Sequence, residues 1–513
     1  MAPGRVLLVA GSDCSGGAGL EAGQKVLAAH GCYAMTATTA LTVQDTTGVK
    51  AIHVIPASFV EQQIKACLED VGADVITTGM LAAADTIDAV ARQVSKHKDA
   101  VALVVDPVMV STSGTQLLPH EAIRVLAQRI LPLTTILTPN IPEAELILSE
   151  MGEARDSTAS RSQPAIESVA DVEALGRHIQ ALGPTWVLVK GGHVPLSADL
   201  TVAPTEAERQ AVVDVLVGPE GYVLRLQSPW QHSTSTHGTG SAISAGLSST
   251  QDVPAAVRAA CRYVEAGIRS APGLGCGHGP LGHFHSNYHL PFSPGYFIEY
   301  LLNHPDVTTV WERFVHHSFV MAIGDGTLPL QSFQGYIIQD YLYLIHFSRA
   351  NALAAYKAKN AEEIKTANEI VGHIMRELDL HINYCKSFGI SVSEMQATEE
   401  QQACTAYTRY VLDVGQSDDW LALQVALAPC LLGYGAVAQM LHEHPRTRRE
   451  GNAYWPWILN YVADDYVRAV RLGSQRIEDG ARLQSPSRIQ ELVRIFVHAT
   501  KMEIGFWEIF PHK

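Results

Sequence analysis

The feature that most constrains this chain is a change of hydrophobic period part-way along it. In the first half, short β-branched runs alternate with longer stretches of helical period. The runs are Arg5–Ala10, Tyr33–Leu41, Val75–Thr78, Val101–Val105, Thr135–Leu137 and Trp186–Val189, each closed by a Gly, Asp, Pro or Asn loop. Pro56–Val71 and Thr86–Lys96 have helical periodicity. This alternation predicts an α/β domain, a mostly parallel sheet between helices. From about Pro294 strand signals become rare and amphipathic segments follow one another: Pro294–Asn303, Val307–Gly324, Leu330–Tyr356, Ala361–Ser387, Glu399–Gly415, Asp418–His442, Trp455–Ser474 and Ser487–Pro511. They predict an all-α domain of bundle type. The stretch Gly273–Pro294, rich in Gly, Pro and His, marks the join. The expected domains are 1–285 and 294–513, with 286–293 as linker and a surface insertion near 151–168.

Length and composition agree with two large globular domains: 513 residues, 47% apolar and 17% charged. A formal net charge of −15 argues against nucleic acid as the main partner. No apolar run is read as approaching the ~18–20 residues that span a bilayer. The start, Met1 to Ala10, reads as a buried strand running into a glycine loop, not as a signal peptide. The eight cysteines are scattered, with no C-x-x-C pair, which fits reduced thiols and a cytoplasmic protein.

In a sheet of this kind ligands bind beyond the carboxyl ends of the strands. Gly11-Ser12-Asp13-Cys14-Ser15-Gly16-Gly17-Ala18-Gly19 follows the first strand, and its glycines let backbone N–H groups approach a ligand. Thr236-His237-Gly238-Thr239-Gly240-Ser241 precedes an Ala/Gly-rich helix; Gly238, Thr239 and Gly240 with that helix end suit a transferring phosphoryl group. Neither loop is a Walker A or G-x-G-x-x-G sequence, and either alone reads equally well as a tight turn. Asp106, Asn140 with Glu143, and Lys190 close three further strands. Singly these are loop or cap residues. Together with an anion loop they offer what Mg–ATP needs: oxygens for the metal near Asp106 and Glu143, and an ammonium for the phosphates. The metal is expected to come with ATP, with no permanent site. Cys276, His278, His283, His285 and His289 fit no standard zinc spacing.

In the second half, Pro429 sits inside a helical pattern, and Cys430 and Tyr434 share a helix face. A lone buried Cys is ordinarily a small hydrophobe. Polar company weakens that reading. Asp340 and Tyr343 share a face of an otherwise apolar helix, and Glu503 lies in the apolar stretch Met502–Trp507. A carboxyl so placed is expected to hold its proton more tightly than usual and to suit an acid.

Taken in order, AGSDCSGGAG from Ala10, the Thr42–Val49 segment around Gln44, Thr78–Leu81, Asp106–Met109, TPNIPEAE from Thr138, Lys190–His193 and His237–Ser241 resemble the hydroxymethylpyrimidine/phosphomethylpyrimidine kinases of the ribokinase-like superfamily. The resemblance runs from about Val6 to His285. It implies that Gln44 hydrogen-bonds a pyrimidine, with Gly11, Ala18, Met80 and Val108 around it; an amide both donates and accepts, as a heteroaromatic ring requires. The chain departs from that family at Ser241, where the family usually has Cys, and at Gly23, where it usually has Asp. A serine hydroxyl is a poor base. Two alternatives follow: a slowed kinase with Ser241 in a catalytic place, or a half kept as a pyrimidine-binding module.

Ser293 to Phe510 resembles thiaminase II, the TenA-like family on the haem-oxygenase-like helical fold, through GDGTLP from Gly324, Gln339-Asp340-Tyr341, Pro429-Cys430 and Phe506-Trp507. That resemblance implies that Cys430 adds to the pyrimidine ring, Glu503 protonates and deprotonates it, and Asp340 holds the ring nitrogen and amino group. Tyr343, Tyr407, Tyr434 and Tyr461 would line the pocket, and no cofactor is implied. Addition lets the methylene bridge expel its substituent, and water completes hydrolysis. Thiamin or an aminomethylpyrimidine then gives hydroxymethylpyrimidine, the acceptor of the first half. Both resembled families are usually oligomeric, which implies a homo-oligomer. A rival on the same scaffold is a carboxylate-bridged di-metal oxidase using Glu377 and His381, four residues apart; no matching second set of Glu and His is legible.

Overall fold

The computed structural model describes residues 3–109, 117–152, 166–231 and 239–511; the side chains of Thr239, Thr366, His373, Glu377 and Leu380 are outside that description. Most of the expected 151–168 insertion is outside the described residues too. The chain packs as two compact units, Met1–Asn287 and Tyr288–Lys513.

The first unit is built on strands β1 (Arg5–Asp13), β2 (Tyr33–Asp45), β3 (Gly48–Val54), β4 (Val75–Thr78), β5 (Ala102–Val105), β6 (Ile136–Leu137), β7 (Trp186–Val189), β8 (Ala211–Val217) and β9 (Val223–Pro229). They form one sheet in the order β3-β2-β1-β4-β5-β6-β7-β8-β9. β2 through β7 are parallel, while β3, β8 and β9 join antiparallel at the edges. Alternate side chains of each central strand enter opposite cores. Leu7 and Val9 pack with Val60, Ile64, Ile87 and Val90 on one side. Val6 and Leu8 pack with Leu20, Leu27, Ile243 and Val257 on the other. Burial on both faces is why these strands read as unbroken apolar runs. The three antiparallel strands escaped that signal. β3 is exposed along most of its length, Asp214 interrupts β8, and Arg225 and Gln227 punctuate β9.

The second unit is all helical. Its central helix, Trp420–Glu443, packs against helices Gln402–Ser417, Trp455–Val462, Asp464–Ala481 and Pro486–Trp507. The expectation of no apolar run near membrane-spanning length fails here. Among the described residues this one helix is long and apolar enough to cross a membrane. It is apolar all round because other helices surround it, with 72% of its apolar window buried. The helix continues through Pro429.

Two expected helices are each split in two. Val307–Gly324 becomes Pro305–Val315 and Ser318–Asp325, where the His317 ring accepts the Phe319 N–H at 3.2 Å as a cap. Trp455–Ser474 becomes Trp455–Val462 and Asp464–Ala481. The GDGTLP stretch closes the Ser318–Asp325 helix: Gly326 takes φ 77°, a left-handed cap. Asn452 donates to the Ile323 and Gly324 carbonyls at 2.9 and 3.1 Å. At the start of the unit, the buried Glu478 carboxylate accepts the Phe297 and Ile298 N–H groups at 2.7 and 2.8 Å.

The two units are expected to fold apart. Met1–Asn287 and Tyr288–Lys513, expressed separately, should each be soluble and melt cooperatively. Two insoluble fragments from a soluble parent would show mutual dependence. Within the second fragment, Glu478→Ala leaves two amides without an acceptor and should cost about 1–3 kcal/mol by denaturant unfolding.

Candidate active sites

In the first unit the loops after β1, β4, β5 and β7 converge on one cavity of about 190 Å³. Gly11, Ala18, Gln44, Met80 and Val108 line it together with Asp106, Lys190, Gly240 and Ser241. The Lys190 Nζ donates to Asp106 Oδ1 at 3.0 Å. Burial alone would lower the Lys190 pKa, but Asp106 and Glu143 more than offset this and raise it. Burial pushes Glu143 up to about 7, with Asp106 adding and Lys190 opposing. Asn140 and Glu143 cap each other: each side chain accepts the other's N–H at 2.8 Å. The Asn140 carbonyl is thus spent on a helix cap, and Asn140 is not part of the cavity wall.

Gly238 lies outside the described residues. Helix Thr239–Leu247 begins beside Asp106, since a Cβ on Gly240 would lie 3.5 Å from the Asp106 Cβ.

The first glycine loop differs from expectation. The Asp13 carboxylate accepts the N–H groups of Ser15, Gly17 and Ala18 at 2.9, 3.0 and 2.9 Å. Glu21 accepts the Asp13 N–H at 2.7 Å and the Ser12 hydroxyl at 2.6 Å. These donors are satisfied within the chain, so the loop supplies a wall and not an anion hole. Gly19 is required there: φ is 56°, and a Cβ would lie 2.2 Å from the Gly11 carbonyl oxygen.

The two departures from the resembled kinases prove to be neighbours. A Cβ on Gly23 would lie 3.0 Å from Ser241 Oγ. Nothing in the order of residues signals this contact.

Among the described residues, no three His, Cys, Asp or Glu side chains group as a metal-binding set. In the Cys276–His289 stretch, His283 is buried with neither ring nitrogen hydrogen-bonded, and His285 Nε2 lies 3.1 Å from the Tyr263 carbonyl.

In the second unit, Glu503 is 2% exposed and accepts the Tyr407 hydroxyl at 2.8 Å. The Tyr407 and Tyr343 rings stack at 5.0 Å, and the Tyr434 and Tyr461 rings meet at 5.2 Å. The Tyr343 hydroxyl is buried beside Cys430 and Tyr407 without a well-formed hydrogen bond. Burial, then the nearby Glu503 and Asp340, holds the Cys430 thiol well above its usual range. Burial also pushes Glu503 up to about 8, with Tyr407 opposing and Asp340 adding. Asp340 is raised by burial, against His381. At rest the site therefore holds a protonated thiol and a protonated acid in an aromatic enclosure.

The side chain of Glu377, from the di-metal reading, lies outside the described residues. His381 is placed otherwise than that reading needs: its Nε2 lies 3.0 Å from the Ile337 carbonyl, and its Nδ1 lies 3.7 Å from Asp340. Tyr336 belongs to the enclosure and was overlooked; its hydroxyl donates to that of Tyr434 at 3.4 Å. Its spacing of four from Asp340 on one helix was the available signal.

A phosphate-ready cavity at the ends of a parallel sheet, joined to a helical bundle that encloses a thiol and two acids, defines a small-molecule kinase coupled to a thiol-dependent enzyme. The phosphomethylpyrimidine kinase family matches residues 13–282, and the TENA/THI-4/PQQC family matches residues 304–510. A Schizosaccharomyces pombe protein named for hydroxymethylpyrimidine/phosphomethylpyrimidine kinase activity is 40% identical over 98% of this chain and 90% of its own. A hydroxymethylpyrimidine/phosphomethylpyrimidine kinase of Saccharomyces cerevisiae is 31% identical over 98% of this chain and 94% of its own. The solved structure of a Clostridium difficile phosphomethylpyrimidine kinase shares 34% identity, covers 51% of this chain and 97% of its own, and superposes with a TM-score of 0.41. The chain belongs to the hydroxymethylpyrimidine/phosphomethylpyrimidine kinase family, in the form that carries a TENA/THI-4 domain. It is an enzyme with a kinase half and a TenA-family hydrolase half.

If Glu503 donates a proton in the second unit, turnover needs its neutral form. With the pKa raised to about 8, that form dominates below this pH and is lost above it. kcat/KM for hydrolysis should therefore hold through neutrality and fall through about pH 8. A profile that stays flat well beyond that pH would remove Glu503 as the donor.

Proposed function

We propose that the first unit phosphorylates 4-amino-5-hydroxymethyl-2-methylpyrimidine, and its monophosphate, from Mg–ATP. The second unit hydrolyses thiamin or the aminomethyl analogue to that same alcohol. The observation that carries the reading is that Gln44 and the Asp106–Lys190 pair open on one cavity. A ring-reading amide and a phosphate-reading ammonium are thus within one ligand's reach. The second unit then makes what the first consumes.

In the kinase, the Gln44 amide orients the ring. Lys190, held by Asp106, bears on the ATP phosphates, and the start of helix Thr239–Leu247 offers N–H donors to the transferring group. Asp106 and Glu143 set two carboxyls around one ammonium, which suits a Mg²⁺ that arrives with the nucleotide. The metal would neutralise phosphate charge.

In the hydrolase, Cys430 Sγ forms a bond to a ring carbon while neutral Glu503 gives its proton to a ring nitrogen. The carboxylate so formed takes the thiol proton. Cleavage of the bond from the methylene to its substituent then carries the electron pair away with the leaving group. Water adds to the methylene and gives up a proton, to the departing amine or to solvent; the C–S bond then breaks with its electron pair on sulfur, and the ring-nitrogen proton restores the thiol. Asp340 and the tyrosines hold the ring. This half is proposed to need no cofactor. The whole is proposed to act in the cytoplasm as a homo-oligomer, without a nucleic-acid or membrane partner.

Product assays on the full chain test the reading. Cys430→Ser should abolish hydrolysis while kinase turnover stays at the wild-type level; undiminished hydrolysis would remove covalent catalysis at Cys430. For the kinase, Ser241→Cys should raise kcat/KM at saturating Mg–ATP, by up to the ~10²–10⁴ that a general base contributes. Equal rapid rates would show that this side chain takes no proton. A wild type and variant that are both silent would favour the alternative, a half kept to bind the pyrimidine.

A further inference from the structure

Strand β8 reads Ala-Val-Val-Asp-Val-Leu-Val, and its side chains alternate between two apolar cores. Val213, Val215 and Val217 enter one, and Leu216 enters the other. The pleat puts Asp214 on the Leu216 side, with Leu188, Ile243 and Cys261. A valine or leucine is what that position would ordinarily hold. Burial raises the Asp214 pKa, and the few groups that oppose this are the Gly191 N–H, the Cys261 thiol and Lys190. A half-buried carboxylate on an otherwise apolar strand face is costly, and its retention calls for a reason.

The reason lies one residue beyond Lys190. Asp214 Oδ1 accepts the Gly191 N–H at 2.9 Å. Gly191 has no room for a side chain, because a Cβ would lie 2.0 Å from the Val213 carbonyl oxygen. The loop is therefore pressed flat on β8. Just before it, the Lys190 N–H donates to the Pro139 carbonyl at 2.8 Å, on the loop after β6. The backbone around Lys190 is thus pinned on both sides, by Pro139 and by Asp214, and its Nζ reaches Asp106 at 3.0 Å.

We propose that Asp214 is a positioning residue for phosphoryl transfer: through the Gly191 N–H it fixes the Lys190 ammonium where the ATP phosphates bind. The inference rests on the kinase reading of this unit. It predicts that an acceptor oxygen at this place matters more to ATP than to the fold. Asp214→Asn keeps an oxygen in reach of Gly191. Asp214→Val fills the apolar side and removes the acceptor. Asp214→Ser stays polar but is too short to reach.

The test is calorimetric titration of the full chain with Mg–ATP, beside thermal unfolding of each variant and hydrolysis by the second unit as an internal control. Asp214→Val and Asp214→Ser should weaken Mg–ATP about tenfold or more, the scale of one buried donor left unpaired. Asp214→Asn should stay within about threefold of wild type, the smaller loss of a neutral for a charged acceptor. Unfolding midpoints and hydrolysis should not track the loss of affinity. Wild-type ATP affinity in the Val and Ser variants would overturn the proposal. So would an affinity that falls only in step with the unfolding midpoint, or an Asn variant as weak as Val. A wild type that binds no Mg–ATP would instead overturn the kinase reading itself.

Discussion

Burial of the central sheet on both faces is the constraint from which the kinase site follows. The central parallel strands, covered on both sides, carry no charged side chain between their end residues, so polar chemistry is driven to their ends. Asp106 and Lys190 stand just past β5 and β7, and Asn140 just past β6. Parallel strands put all these ends on one edge, so Asp106 and Lys190, distant in sequence, share one cavity. Their ion pair is largely buried, and a pair so placed contributes little stability after desolvation. A second carboxyl at Glu143 makes the arrangement worse as a structural device and better as a receptor for a cation-bearing polyphosphate.

The helical unit meets the same constraint differently. A bundle has no strand ends to expel polar groups to, so Glu503 and Asp340 sit within the core and the half-buried Cys430 packs against it. Tyrosines make this tolerable. Tyr407 donates to Glu503, while its ring and that of Tyr343 supply apolar wall. Low dielectric then acts in opposite senses on chemistry and rest state. It keeps Glu503 protonated and ready to give, and it also keeps the Cys430 thiol protonated. On the proposed mechanism the nucleophile is therefore formed during addition, and the acid that serves the ring is the natural receiver of the thiol proton.

Much of this was legible in the chain, for physical reasons. The central strands announced themselves because two-sided burial writes unbroken apolar runs, and the long helices because one-sided burial writes a period near 3.6. β3, β8 and β9 were not legible: the edge strands β3 and β9 lack that double burial and carry Lys50 or Arg225, and Asp214 interrupts the apolar run of β8. The helix Trp420–Glu443 was legible as a helix, expected over Asp418–His442, but not as one buried all round, which gives it a membrane-like composition. At the sites, residue types and their order pointed to Asp106 and Lys190, and the resemblance pointed to Gln44; all three line one cavity. What order does not carry is direction. The N–H groups of the first glycine loop turn inward to Asp13, and the Asn140 side chain turns back on its own helix.

The same limit governs the departures at positions 23 and 241. Read along the chain they are two independent losses, of a carboxylate on one helix and of a thiol on another. In space they share one volume: a Cβ at position 23 would lie 2.8 Å from Leu8 Cδ1 and 3.0 Å from Ser241 Oγ. Both contacts are with movable side-chain ends, so a larger residue at 23 is admissible only if Leu8 and Ser241 turn away. The small hydroxyl at 241 and the bare Cα at 23 fit each other as they stand. The pair leaves the cavity wall there without a titratable group, while Asp106, Lys190 and the start of helix Thr239–Leu247 keep their charges and donors. Phosphoryl transfer depends chiefly on positioning and charge neutralisation. A change confined to this corner therefore alters the proton-handling part of the site and leaves the larger electrostatic part in place.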